Sequence, residues 1–178
     1  EFVEFCNTGD HPLNLTGYAL AGGVDFIFTE GELDPGAHVV VVGDLSEFSA
    51  CYDTNGMFIA GEFRDKLSNG GDEIRLEFYG EKLYEVAYDD ARGWPVAADG
   101  GGASLVPLTD AVKDQVFDIL DHSMFWRAST YMGGSPGRAD PVKPVGPMIN
   151  EIVAHNDSGN NGPYDSNDWI ELYNPSVA

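Results

Sequence analysis

Asp168-Trp-Ile-Glu-Leu-Tyr-Asn-Pro-Ser176, near the end of the chain, is written once more at its beginning, as Glu1-Phe-Val-Glu-Phe-Cys-Asn-Thr-Gly9. The two align without gaps: an acid, an aromatic, a β-branched residue, Glu, an apolar residue, a variable position, Asn, then a turn former. Glu4 matches Glu171 and Asn7 matches Asn174, at an offset of 167 residues (171 − 4). Alternation of this kind reads as a β-strand with one partly polar face. The offset has the length of a domain, far above the roughly 20–50 residues of a solenoid repeat. Two unrelated strands of similar composition would also give such an echo. The reading preferred here is one domain nearly complete, followed by the start of a second.

A chain of 178 residues is long enough for one good core and short for two. With 22 Gly, 10 Pro and 43% hydrophobic residues it fits an all-β domain with many turns. Nine basic residues against 30 acidic ones give a net charge of −21. Phosphate binding needs clustered Lys and Arg, so this surface is expected to repel DNA, RNA and anionic lipid. No apolar run approaches the length of a membrane span, and no secretory signal is visible. The chain starts at Glu, which reads as a piece excised from a longer protein. Cys6 and Cys51 suit either one bridge or two thiols, because pairing needs an oxidising compartment and adjacent Cβ atoms.

Outward from the opening strand, Asn7–Pro12 is a turn cluster and Leu13–Ala19 alternates, with Val24–Phe28 a further strand after Gly22-Gly23. Leu33-Asp-Pro-Gly36 is a turn that launches Ala37–Val42, the most apolar run, expected to be central and covered on both faces. Asp44–Tyr52 carries Leu45 and Phe48 at roughly helical spacing. Glu73–Tyr79 and Lys82–Tyr88 flank Gly80-Glu81 as a hairpin. Residues 89–102 read as loop, and Val112, Val116 and Leu120 suggest a short helix over Thr109–Asp121. Phe125-Trp-Arg127 resumes extended structure. Residues 1–139 thus form a first domain, 140–147 a stiff Pro-rich linker, and 148–178 the start of a second repeat. The fold class is an antiparallel β-sandwich, nearest the immunoglobulin type.

Several pieces occur in a characteristic order: Leu15-Thr-Gly-Tyr-Ala-Leu20, Leu33-Asp-Pro-Gly-Ala-His-Val-Val40, Leu67-Ser-Asn-Gly-Gly-Asp-Glu-Ile74, Gly93-Trp94, Asp99-Gly100, Trp126-Arg127 and Gly134-Ser-Pro-Gly-Arg-Ala139. With Trp169-Ile-Glu-Leu-Tyr-Asn174 this set, over about 140 residues, resembles the lamin-tail domain family, in particular its bacterial extracellular branch. The resemblance implies an immunoglobulin-like sandwich without catalytic residues, carried by a larger secreted or cell-surface protein, often in tandem. Eukaryotic relatives bind proteins, chromatin or DNA; the charge of this chain and its lack of a heptad rod speak against carrying those partners over. Family members open with an Ile-Asn-Glu-Ile strand. None precedes Glu1, yet Ile149-Asn-Glu-Ile152 stands at the other end. Ile149, Asn150, Glu151 and Ile152 are therefore expected to donate a strand to the edge beside Glu1–Cys6, in cis or as a strand-swapped oligomer. The second copy, Trp169–Asn174, would then be exposed, disordered or paired between chains.

Candidate chemistry is sparse. Gly133-Gly-Ser-Pro-Gly137 matches G-x-S-x-G, but Pro136 has no N–H to build an oxyanion hole, so it reads as a turn. The four histidines lack zinc spacing, and no enzyme constellation is evident. In Asp157–Asp168, residues Asp157, Asn161, Asp165 and Asp168 fall near a calcium-loop spacing with Gly162 at its sixth position. Gly159 and a terminal Asp in place of Glu depart from that pattern, and a solvated loop without metal is the competing reading. Calcium is thus the only cofactor candidate. Trp94, in a glycine-rich loop, is the candidate for stacking on a sugar, whereas Trp126 and Trp169 sit in apolar alternation that reads as core. The function expected is a non-catalytic protein-interaction or architectural module; the alternative is a carbohydrate-binding accessory module of an extracellular enzyme.

Overall fold

The structure is a computed structural model describing residues 1–91, 93–108, 120–141, 147–154 and 168–174. Its contacts divide the chain into two units, Glu1–Pro141 and Val142–Ala178. Unit 1 contains β1 (Phe2–Cys6), β2 (Leu13–Asn14), β3 (Tyr18–Gly22), β4 (Val24–Ile27), β5 (Glu32–Leu33) and β6 (His38–Val42). The helix α1 (Leu45–Cys51) follows, then β7 (Ile59–Glu62), β8 (Arg64–Asp65), β9 (Gly71–Phe78), β10 (Glu81–Asp89), β11 (Leu105–Pro107), a 3-10 turn at Ser123–Phe125 and β12 (Trp126–Ala128). Unit 2 contains β13 (Met148–Val153) and β14 (Trp169–Tyr173). The protein is all-β.

Two sheets build unit 1. One has the order β1-β6-β7 and the other β10-β9-β3-β4-β8; the short pairs β2-β5 and β11-β12 complete it. Val39 and Val41 of β6 meet Leu20, Val24 and Phe28 in one core cluster, against which Val3 and Phe5 of β1 also pack. The opposite face of β6 is covered as well: Val40 and Val42 join Phe48 of α1, with Phe2, Tyr52 and Ile59 against them. The four valines that follow His38 in β6 are fully buried, as an apolar run covered on both faces requires. The α1 helix is short because it only has to carry Phe48 onto this face. Asp44 caps it, its Oδ1 accepting the Glu47 N–H at 2.7 Å.

One pairing departs from the antiparallel expectation. β7 runs parallel to β6, Val40↔Ile59 to Val42↔Glu62, because the chain between them returns through α1 and so re-enters in the same direction. Every other strand pair described is antiparallel. The β9–β10 hairpin turns at Tyr79-Gly80, one residue earlier than its sequence suggests, with φ of 49° and 83°. Both angles are positive, as a two-residue turn matched to the strand twist demands. Cys6 and Cys51 are free and exposed. The helix expected over Thr109–Asp121 lies outside the described residues apart from its last two positions, of which Leu120 is buried.

Candidate functional site

The repeated strand explains its own recurring letters. In β1 the Glu4 carboxylate lies within hydrogen-bonding distance of His38 Nδ1 (3.0 Å) and accepts the Gly137 N–H at 2.5 Å. It thus ties the strand both to β6 and to the loop at the end of unit 1. Asn7, buried just beyond the strand, donates through Nδ2 to the carbonyls of His11 and Leu33, 2.8 Å each, and accepts from the Gly9 N–H at 3.0 Å. It clamps the Leu33-Asp-Pro-Gly36 turn to the end of β1. An acid and an amide at these two positions are therefore requirements of the strand's surroundings rather than of its own conformation.

β1 uses only one of its edges among the described residues. Gly43 N–H donates to Glu1 O and Asn7 N–H to Ala37 O, so the odd-numbered residues of this pair are bonded to β6. Antiparallel geometry then turns the main-chain N–H and C=O groups of Phe2, Glu4 and Cys6 the other way. In unit 2 the matching strand, β14, has a partner on one side: β13, in the register Met148↔Tyr173, Ile149↔Leu172, Glu151↔Glu171, Ile152↔Ile170 and Val153↔Trp169, with an irregularity at Asn150. Asn150 Nδ2 donates to the carboxylate of Glu171, the counterpart of Glu4. The expectation that Trp169–Asn174 would be exposed, disordered or paired between chains is met as to exposure, and its partner is β13.

The apolar side chains of this hairpin are open to solvent: Ile149 57%, Ile152 56%, Ile170 61% and Leu172 65% exposed. Trp169, read from its alternation as a core residue, is 38% exposed. Among the described residues of unit 2 the hairpin is a sheet of two strands only, and alternation alone does not bury a strand without a further layer.

Of the residues singled out for calcium, Asp157, Asn161 and Asp165 lie outside the described residues, and Asp168 is exposed immediately before β14. Among the described residues no three His, Cys, Asp or Glu side chains converge as a metal site. Trp94 is half-buried, its ring centroid 6.2 Å from that of Trp126, whose Nε1–H donates to Leu120 O at 2.7 Å. The G-x-S-x-G segment is a turn with positive φ at Gly133, Gly134 and Gly137. Ser135 donates its hydroxyl proton to Asp140 at 2.8 Å, and Asp140 also takes Arg127 Nη1 at 2.5 Å and the Thr130 N–H at 3.0 Å. Burial pushes the Asp140 carboxyl upward, but the Arg127, Thr130 and Ser135 hydrogen bonds outweigh it and hold the group below its ordinary range. This cluster closes the end of unit 1; it was not evident in the sequence, because nothing in the Trp126-Arg127 piece points to Asp140 as its partner. Beside it lies a groove of 490 Å³ bordered by Glu32, Asp34, His38, Phe58 and Arg138. Among the described residues no helix is long and apolar enough to cross a membrane.

Comparison with protein-family models, with curated proteins and with solved structures finds no match to this chain.

Proposed function

We propose that the chain is a non-catalytic protein-interaction and architectural module of lamin-tail type, an immunoglobulin-like β-sandwich within a larger secreted or cell-surface bacterial protein. The observation that carries this reading is the strand that occurs twice. Phe2–Cys6 anchors one sheet of unit 1, and its sequence echo Trp169–Tyr173 is again a strand in unit 2, paired to an Ile-Asn-Glu-Ile segment. Repetition of a structural strand at domain distance is the mark of modules strung along a chain. The ordered lamin-tail-like segments also fall on structural punctuation: Leu33–Gly36 makes a turn clamped by Asn7, Leu67–Asp72 leads into β9, and Gly134–Ala139 closes onto Glu4 and Asp140. The net charge of −21 suits a protein that meets other proteins or cations rather than nucleic acid or anionic lipid.

The carbohydrate-binding alternative depends on Trp94, whose ring leans on Trp126. Affinity electrophoresis through polysaccharide gels, with wild type and Trp94→Ala side by side, separates the readings. The module reading expects equal mobility with and without polysaccharide for both proteins. Retardation of the wild type that Trp94→Ala abolishes would replace it by the carbohydrate reading.

A further inference from the structure

We propose that β13 of one copy of this chain leaves β14 and adds to the open edge of β1 in a second copy, in the register it holds on β14. The inference deepens the module reading above by naming the partner and the surface. Three observations lead to it. The acceptor is an edge of β1: among the described residues β1 pairs with β6 alone, and the main-chain groups of Phe2, Glu4 and Cys6 face away from that partner. The donor is specified, because β14 repeats β1 position by position and β13 is the strand that β14 pairs with.

The third observation concerns burial. On β14 the donor's Ile149 and Ile152 are more than half exposed, and among the described residues of unit 2 no third strand joins the hairpin. The matching positions of β1 are Phe5 and Val3, which already pack against the unit 1 core. Moving β13 from the hairpin to β1 sets both isoleucines beside a packed sheet rather than beside another exposed strand. Apolar burial thus favours the exchange, and an isolated hairpin is only marginally stable in any case.

The transferred register is explicit. Subtracting the offset of 167 residues places Val153 opposite Phe2, Ile152 opposite Val3, Glu151 opposite Glu4, Ile149 opposite Phe5 and Met148 opposite Cys6. Glu151 faces a carboxylate in either setting, Glu171 in the hairpin and Glu4 after exchange, so that pair is neutral to the choice. The opposing force is the net charge of −21 on each copy, a repulsion that salt screens.

Cys6 supplies the test, because it is a native thiol at the end of the acceptor edge. Its thiol is pushed up by desolvation and by Glu4, so oxidation is run at alkaline pH and high salt. In the full chain carrying Cys51→Ser and Met148→Cys, mild copper-catalysed oxidation is expected to shift the non-reducing band from 19.2 kDa to twice that mass. Peptide mapping should join positions 6 and 148, and adding Cys6→Ser should abolish that link. A 6–148 link confined to single chains would overturn the second copy as partner. Only 6–6 or 148–148 links, or no link in a variant with wild-type circular dichroism, would overturn the register. Should the variant not fold, the mass of the unmodified chain decides: concentration-dependent association supports the exchange, and a monomer at every concentration and salt overturns it. A monomer that also ignores polysaccharide sinks this inference while leaving the module reading standing, whereas polysaccharide retention lost in Trp94→Ala sinks that reading itself.

Discussion

Asp140 shows how much of this fold rests on single polar residues. Its side chain is 3% exposed and satisfies Arg127, Thr130 and Ser135 together, which draws the ends of a fourteen-residue stretch onto one carboxylate. Replacing it by Ala leaves the partly buried Arg127 guanidinium with only the Ala128 and residue-140 carbonyls and removes the acceptor of two further donors, a loss of about 3 kcal/mol for a broken buried pair. Its folded carboxyl titrates below its ordinary value of 3.8, so its contribution is present above that value and is lost as pH falls through the depressed one. Urea midpoints for wild type and Asp140→Ala are therefore expected to differ widely at pH 7 and to converge as pH falls through that depressed value. A constant difference across that range would mean the side chain acts by packing alone. Little of this was legible beforehand. The sequence marks Gly133–Gly137 as a turn, but the partners that lock it include Glu4 and Tyr52, far away in the chain, which no local pattern links to it. Asn7 is the contrasting case: its recurrence as Asn174 singled it out, and the clamp on Leu33 and His11 supplies the reason.

At the scale of elements, those with strong patterning were readable: β1, the valine run of β6, the capped α1 and the β9–β10 hairpin. Those that escaped were short or held by tertiary contacts. β7 is interrupted by Gly61, and its parallel pairing with β6 depends on a crossover that no local pattern encodes. The two-residue pair β2–β5 exists because Asn7 and the Gly31 and Leu33 carbonyls organise the loop around it. Gly22 illustrates how closely the large sheet is assembled. It pairs with Ile74 at φ 105°, and an added Cβ would stand 2.2 Å from the Glu73 carbonyl oxygen. Gly22→Ala is expected to cost about 2–3 kcal/mol, read as a lowered thermal midpoint with unchanged secondary structure at low temperature. A midpoint equal to wild type would show that the β3–β9 pairing is looser than this geometry requires.

For the whole molecule, the informative feature is the mismatch between two copies of one strand. Among the described residues the strand in unit 1 packs against the core and pairs along one edge; in unit 2 it has an edge partner and its apolar residues are exposed. The echo in the sequence marked Phe2–Cys6 and Trp169–Tyr173, both of which are strands, while Ile149–Ile152 was expected as a donor from the family resemblance. It could not disclose that β13 would already be paired, because strand pairing depends on which surfaces are buried, and burial is a property of the assembled layers. The candidate calcium residues Asp157, Asn161 and Asp165 fall outside the described residues, so the Asp157–Asp168 loop adds nothing to this comparison. β13 is the strand that the proposed exchange supplies to β1 of a second copy, and that exchange is the central claim.

Sedimentation equilibrium of the unmodified chain over a wide range of concentration, in low salt and in about 0.5 M NaCl, tests it most directly. Exchange of β13 onto β1 should give a weight-average mass that climbs above 19.2 kDa with concentration, and climbs further once salt screens the −21 charge. A mass fixed at 19.2 kDa under every condition would contradict it.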